Sequence, residues 1–596
     1  MNQTDPEQAP FVGDLLLLFG VDRPPQVVRS IEATWLHATG EPIPALWQTA
    51  PGTCWRGTPC VRATRGAVSV ALLGELYGIG EAQAADLLLD VATGIERADR
   101  LNGHFLLIAW DEDARELRVW TDRFGTLHAY HAAVSGRAAV GTFCPAVAAA
   151  ASARRLDWEA LAGFFGFGFF PHDRTHFDDV RILRPASLYR FDAWGGLVGA
   201  DRYLPWRHSP DMTRSYADTV AEFAHVFGCV MADHLSTGRI AVPISGGLDS
   251  RSTVAEIRVP DNRVWAYSYG YSPDSVETRI ARRIAQSRAL SFDAYTIGPY
   301  LFDGLDGVLA AVEGFQDITQ CRQAAVAADL ACRADYVIAA HWGDVWLDDM
   351  GLVTRRERPA DADGVVDHAL HKMEKRGREW LFDHLVRPSQ PAFDPDACLG
   401  DFVRHGMDGL GSIEDPDFRV KAFKTDNWSF RWTMTGVRMY QPGAFPRLPF
   451  YDTRIADFFG TVPSSFVAGR RLQIDYLKRH APDLARITWQ VFDADLYRYS
   501  LHGSWLLPKR GLKKLARVLS RRPVVERNWE VQFAGEQGSR GLDEWLLRPG
   551  LRLHDLVAPK EIAALLSAFR RAPLAGGHAY SVSMLLTFSV WLERYG

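Results

Sequence analysis

Apolar residues change their spacing once along this chain, and the change divides it in two. Up to about Tyr203 they come in short β-rich runs, DLLLLFG, VSVALLG, HFLLIAWD, ELRVWTD and AAVGTF, separated by turns or charges. One helix-like stretch, Glu81 to Arg100, interrupts them. The hairpin-sized gap between IAWD and ELRVW predicts antiparallel pairing and a layered β structure. Periodicity then disappears in YRFDAWGGLVGADRYLPWRHSP, where Gly, Pro and Trp cluster. This places a boundary between a first unit, 1–205, and a second, 206–596.

From Ser215 the rhythm is that of alternating helices and strands. Val220, Phe223, Phe227, Val230 and Met231 share one helical face. A strand over Ile240–Ile244 leads into a glycine loop and a helix beginning near Ser250. RVWAYSYG is a second strand, followed by a helix with Val276, Ile280 and Ile284 spaced by four; SFDAYTIG is a third, with Leu301, Leu305, Val308 and Val312 on the next helix; DYVIAAHWGD is a fourth. This alternation predicts a doubly wound, mostly parallel sheet with helices on both faces. Beyond Arg355 the pattern is largely helical, and SVSMLLTFSVWL near the end reads as a buried helix.

Composition narrows the classes. A chain of 596 residues, 47% hydrophobic and 23% charged, is that of a globular protein with two to four domains. A formal net charge of -5 argues against a nucleic-acid partner. The seven cysteines form no C-x-x-C pair, which points to reduced thiols and away from a zinc site or disulfide framework. Acidic residues stand where a signal peptide needs positive charge, and no run approaches a membrane span. The expectation is a cytoplasmic protein with no membrane insertion; a homodimer is compatible with it.

Chemistry concentrates in IAVPISGGLDSRSTVAE, residues 240–256. In a parallel α/β sheet, ligands bind beyond the carboxyl ends of the strands, where this loop falls. Gly246 and Gly247 allow a tight turn and close approach of backbone to ligand, with phosphate seated on free N–H groups. Ser245 and Ser250 add hydroxyl donors. Asp249 would repel a phosphate unless a divalent cation bridges them, so the loop suggests a site for a magnesium nucleotide. No Lys stands where a Walker A loop requires one.

S-G-G-x-D-S resembles the pyrophosphate loop of the ATP pyrophosphatases, and PISGGLDSRSTVAE looks most like the synthetase half of the asparagine synthetase family. DSVETRIARRIAQ resembles that family's second helix, VIAAHWGDVWLDDM its S-G-E-G-S-D-E segment, and RLPFYDTRIADFFGTVP its R-V-P-F-L-D-H signature. LNGHFLLIAWDEDARELRVWTDRFGTLHAYH is similar to its glutamine amidotransferase domain. The resemblance implies an Ntn-hydrolase-like first unit, an ATP-pyrophosphatase second unit with helical additions, and a ligase that adenylates a carboxylate. It implies ATP contacts from Ser245, Gly246, Gly247, Leu248, Asp249 and Ser250, with Tyr269 on the strand that holds adenine, and Mg²⁺ held by Asp249 and Asp344.

The departures matter equally. Glutamine-using members begin with a cysteine after Met1; here Asn2 follows Met1 and the nearest cysteine is Cys54. LGELYG carries Leu73 where the family's glutamine-binding Asn belongs, so the first unit reads as a silent scaffold. His341 stands at the glutamate of S-G-E-G-S-D-E and is a candidate for proton handling. The family's downstream lysine is replaced by a choice among Arg470, Arg471 and Lys478, of which Arg471 and Lys478 are carried forward as catalytic candidates with His341. Tyr440, Arg431 and the tryptophans of NWSFRWTM are conceivable acceptor-site residues that no spacing singles out. The expected partners are a small-molecule or peptide carboxylate and an amine or ammonia. Alternatives are a lactam-forming cyclase of the lasso-peptide or β-lactam synthetase type, and a catalytically silent scaffold.

Overall fold

The structure is a computed structural model that describes residues 16–19, 60–258, 262–354, 361–500 and 525–596. Asn2 and Cys54 lie outside the described residues. The chain is a mixed α/β protein with antiparallel and parallel sheets.

The first ten strands are β1 (Leu16–Phe19), β2 (Cys60–Arg65), β3 (Val68–Leu76), β4 (Gly103–Asp111), β5 (Glu116–Thr121), β6 (Tyr130–Val134), β7 (Arg137–Gly141), β8 (Val180–Ile182), β9 (Ser187–Phe191) and β10 (Leu197–Arg202). They form two antiparallel sheets, ordered β1-β7-β6-β8 and β10-β9-β5-β4-β3-β2. Strand β4 explains the layering. Successive side chains of a strand point to opposite faces, and here both faces are covered. Leu106, Ile108 and Trp110 meet Leu17, Phe19 and Val140 of the other sheet. Phe105, Leu107 and Ala109 meet Leu88, Leu89 and Val91 of helix α1 (Glu81–Ala92). FLLIAW, Phe105–Trp110, is therefore an unbroken apolar run. Helix α1 stops well before Arg100, because Gly94 takes a left-handed φ of +76° just past its end. Helices α2 (Cys144–Ala151) and α3 (Trp158–Phe167) share a core with the outer face of the smaller sheet.

Helix α4 (Tyr216–His234) opens the second unit, capped by Ser215, whose Oγ accepts the Asp218 N–H. Strands β11 (Ile240–Pro243), β12 (Val264–Gly270), β13 (Ser291–Thr296), β14 (Tyr336–Ile338) and β15 (Phe445–Arg447) form a wholly parallel sheet ordered β13-β12-β11-β14-β15. Helices α5 (Asp249–Ala255), α6 (Val276–Ser287) and α7 (Leu305–Val312) lie in the connections. Leu301 precedes α7 and is buried before the helix starts. β15 was not foreseen: three residues carrying Pro446 show no strand pattern, and proline is tolerated there because the strand is an edge. The strand order reverses between β11 and β14, which opens a crevice at their carboxyl ends.

One apolar cluster runs from α2 and α3 through α4 and the parallel sheet to the C-terminal helix His578–Tyr595. Polar ties cross the same seam. Glu313, wholly buried and at φ +53°, forms an ion pair with buried Arg438 and accepts the Cys144 N–H at 2.5 Å. Arg438 Nη1 also donates to the Tyr130 hydroxyl at 3.4 Å. On the other side, Arg447 of β15 holds both oxygens of Glu75 of β3 at 2.8 Å each. Among the described residues no helix is long and apolar enough to cross a membrane.

Candidate functional site

The loop between β11 and α5 curls around its own hydroxyls. Ser245 N–H donates to Ser250 Oγ at 3.0 Å, the two hydroxyl oxygens lie 3.0 Å apart, and Gly247 N–H donates to Ser245 Oγ at 3.2 Å. Gly246 is pinned from both sides. Its carbonyl accepts Gln490 N–H at 3.3 Å, and its N–H donates to the Glu277 carboxylate at the start of α6. A Cβ at Gly246 would stand 2.4 Å from Gln490 Oε1 and 2.9 Å from its Cβ, so a side chain there would displace Gln490 from the loop.

Arg251 explains the residue that follows the loop motif. Its buried guanidinium donates to the carbonyls of Leu484 and Ile487 through Nη1, at 3.2 and 2.8 Å, and of Thr488 through Nη2, at 2.8 Å. This clamps the segment that carries Gln490 over the loop. Lysine has no fork to serve diverging carbonyls. Arg251→Lys is expected to lower the melting temperature, since buried carbonyls lose their donors. A thermal melt checks this, and an unchanged melting temperature would remove Arg251 from the support of the loop.

Asp249 begins α5 with Oδ1 accepting Arg470 Nη1 and Gln473 Nε2, each at 3.0 Å. Arg470 Nε also faces Asp348 at 3.5 Å. Burial pushes the Asp249 carboxyl up to about 6, against the pull of Arg470 and with a further push from Asp344. Asp344 comes from the other side of the crevice, after β14, on the short helix Gly343–Trp346, and its side chain is exposed. Glycine precedes it because a Cβ at Gly343 would lie 2.9 Å from Asp249 Cγ. Trp342 (φ +75°) and Arg470 (φ +58°) both hold left-handed backbone beside this pair, and such strain gathers at functional sites.

The remaining sequence candidates fall in different places. Tyr269, one residue before the end of β12, lies beneath Arg322, whose guanidinium is 5.8 Å from the ring centre. His341 stands near Asp344 with Nδ1 buried and unpaired, and burial holds its ring down to about 4, so it is neutral near pH 7. Leu248 is buried beneath the loop. Arg471 and Lys478 turn elsewhere along the helix Arg471–His480: Arg471 lies 4.0 Å from the Tyr216 ring centre, and Lys478 near Tyr497, Tyr499 and Asp475. The cation that reaches Asp249 is Arg470, one residue before that helix.

Residues not selected from the sequence complete the surroundings. Gln473 is three positions from Arg470, Glu277 meets Gly246, and Lys424 feels the charge of Asp344. Only the helical spacing of Arg470 and Gln473 was available as a signal. Arg431 is buried in the seam, donating to the Arg174 carbonyl at 2.9 Å, and Tyr440 is buried with its ring 6.2 Å from His341. Among the described residues no group of three or more His, Cys, Asp or Glu side chains is placed to hold a metal. Asp249 and Asp344 are a pair, which suits Mg²⁺, commonly bound through one or two carboxylates plus substrate phosphates.

A family model described as a glutamine amidotransferase domain matches residues 87–203. The match opens within α1, after Leu73 and Glu75, and closes at Tyr203. No curated protein matches the chain. Among solved structures, the allosteric regulatory enzyme of purine biosynthesis is 11% identical over 41% of this chain and 48% of its own, with a TM-score of 0.16. The glutamine phosphoribosylpyrophosphate amidotransferase of B. subtilis, complexed with ADP and GMP, is 12% identical over 42% and 50%, at 0.16. The glutamine-dependent NAD+ synthetase of Acinetobacter baumannii, in complex with ADP, is 11% identical over 42% and 58%, at 0.17. The chain thus spans about half the length of each.

Proposed function

We propose that this chain is an ATP-dependent carbon–nitrogen ligase of the asparagine synthetase type. It adenylates a carboxylate, releases pyrophosphate and passes the acyl group to an amine or ammonia, without glutaminase activity of its own. The observation that carries the reading is the meeting of Asp249, from the S-G-G-L-D-S loop after β11, with Asp344, from the segment after β14, at the reversal of strand order. Such a crevice is where α/β sheets bind nucleotides. Asp249 and Asp344 would hold Mg²⁺, whose chemistry there is to neutralise charge on departing pyrophosphate. The chain's own residues do the positioning. Gly246 and Gly247 admit the phosphates, Ser245 and Ser250 offer hydroxyls, Arg470 orients Asp249, and neutral His341 is a hydrogen-bonding group beside the pair.

Silence of the amidotransferase unit draws support from two positions. Leu73 is buried in the core between the two antiparallel sheets, opposite Leu106 in β4, where an amide would have no partner. Glu75 is already held by Arg447. The deciding experiment follows phosphate products and glutamate together. With MgATP and a productive carboxylate, the protein is expected to release pyrophosphate and not orthophosphate, and to release no glutamate from glutamine. ADP formation in productive turnover would end the ligase reading; glutamate release keeping pace with pyrophosphate would end the silent-scaffold reading of the first unit.

A further inference from the structure

Among the described residues, a group of lysines beside the site forms no ion pair. Lys424 ends the helix Pro416–Lys424, which continues with π-helical winding through Thr425–Thr433. Its Nζ lies 4.6 Å from the ring centre of Trp428, four residues on, and 5.7 Å from that of Trp342. Lys375 approaches the same Trp428 ring from a different element, at 5.2 Å, and Lys372 adds its charge from the end of the helix Ala362–Met373. Ion-paired lysines among the described residues are Lys421, Lys478 and Lys560, so these three have no ion pair there. The carboxylates that act on them from further away are Asp344 on Lys424 and Asp317 on Lys375.

Ordinary packing of lysine stems leaves the ammonium heads apart in water. Here Lys375 and Lys424 are half-buried and converge on one indole, and burial with the two neighbouring lysines holds Lys424 down to about 8. Each cation–π contact returns about 0.5–1 kcal/mol, which does not offset gathering like charges out of water. An arriving anion would. Its place is set by Trp342, which adjoins Gly343 and Asp344.

We propose that Lys375 and Lys424, with Trp428 as their floor and the charge of Lys372 nearby, form a subsite for a second anionic group on the carboxylate substrate, so that the substrate is a dianion. This rests on the reading that a carboxylate is activated beside Asp249 and Asp344. One anionic group goes to the reaction and the other is held by the lysines.

The test is calorimetric titration of the full chain with glutarate, 4-phosphonobutyrate and the monoamide of glutarate, at low and high salt. Both dianions are expected to bind at least about tenfold more tightly than the monoamide, with the advantage shrinking in salt. The carboxylate and phosphonate arms show which second anion is preferred. In the Lys372→Gln/Lys375→Gln double variant the advantage should vanish, while ATP binding and the melting temperature stay unchanged. Equal binding of all three probes, binding by none, or an advantage that survives the double variant overturns the proposal. The outcomes also separate it from the ligase reading. A dianion advantage without pyrophosphate release from any carboxylate removes the reaction and leaves the subsite. Pyrophosphate release from monocarboxylates, unaffected by the double variant, removes the subsite and leaves the reaction.

Discussion

Asp249→Asn is expected to lower pyrophosphate release by about a hundredfold or more, the scale of losing one charge-stabilising group at a reacting phosphate, while the folded protein melts no lower than the parent. The two halves of this expectation have one cause. Burial beside Asp344 raises the carboxyl to about 6 even with Arg470 Nη1 at 3.0 Å, so the ionised form is a net burden on the fold. With the folded pKa above the unfolded one, the stability contribution of Asp249 is fully present below the ordinary carboxylate range and is lost as pH rises through about 6. Asparagine removes that loss at neutral pH and keeps an acceptor for Gln473. Activity runs the opposite way: protonation removes the proposed metal ligand, so the rate declines toward acid, at a pH that a bound cation moves down. A pyrophosphate-coupled assay between pH 5 and 8, with thermal melts of parent and variant, measures both. Near-parental turnover in Asp249→Asn would remove this residue from metal binding, and a large fall in melting temperature would make it a structural group.

The second large effect lies at the seam. Arg438→Met is expected to destabilise the protein by about 3–5 kcal/mol, the usual result of breaking a buried ion pair from one side. Glu313 would then keep the Cys144 N–H and the more distant charge of Arg431 but lose its ion-pair partner, inside a cluster that joins both units. The Arg438→Met/Glu313→Gln double variant should recover much of the loss, because the orphaned charge goes with it. Urea and thermal unfolding followed by fluorescence and circular dichroism give the comparison; coincident transitions are needed before a free energy is assigned to a chain of this size. If single and double variants are equally destabilised, the cost comes from lost packing and the ion pair is not what ties the seam.

Much of the architecture was legible as pattern. Ile280 and Ile284 are buried on α6 as their spacing predicts, whereas Val276, at the first position of the helix, is exposed; the four strands read in the second half occur in that order. The apolar runs of the first half are strands because helices and a second sheet cover both of their faces. The glycine loop was visible because Gly-Gly followed by Asp and Ser at a strand-to-helix turn has a backbone and charge meaning within one short segment. Local order of this kind is set by neighbours in the chain, so the chain alone records it.

The contacts that complete the site come from segments far apart in sequence. Asp249 meets Gly343 and Arg470, Gly246 meets Glu277 and Gln490, and Lys424 meets Trp342. Nothing in GRRLQIDYLKRH distinguishes Arg470 from Arg471, because the choice depends on a left-handed residue at the helix start that turns one guanidinium toward α5 and leaves the next over Tyr216. β15 shows no strand pattern, since a three-residue edge strand with a proline owes its form to pairing with β14. Glu313 and Arg438 could not be paired from sequence either, for a buried charge is stable only beside its partner, and that partner was brought by the packing of the whole chain. The sequence by itself determined the periodic elements and the glycine loop with its Asp249; the tertiary structure decided that Asp344 joins it and which cations, amides and aromatics surround it, because those proximities arise only when distant elements share one core.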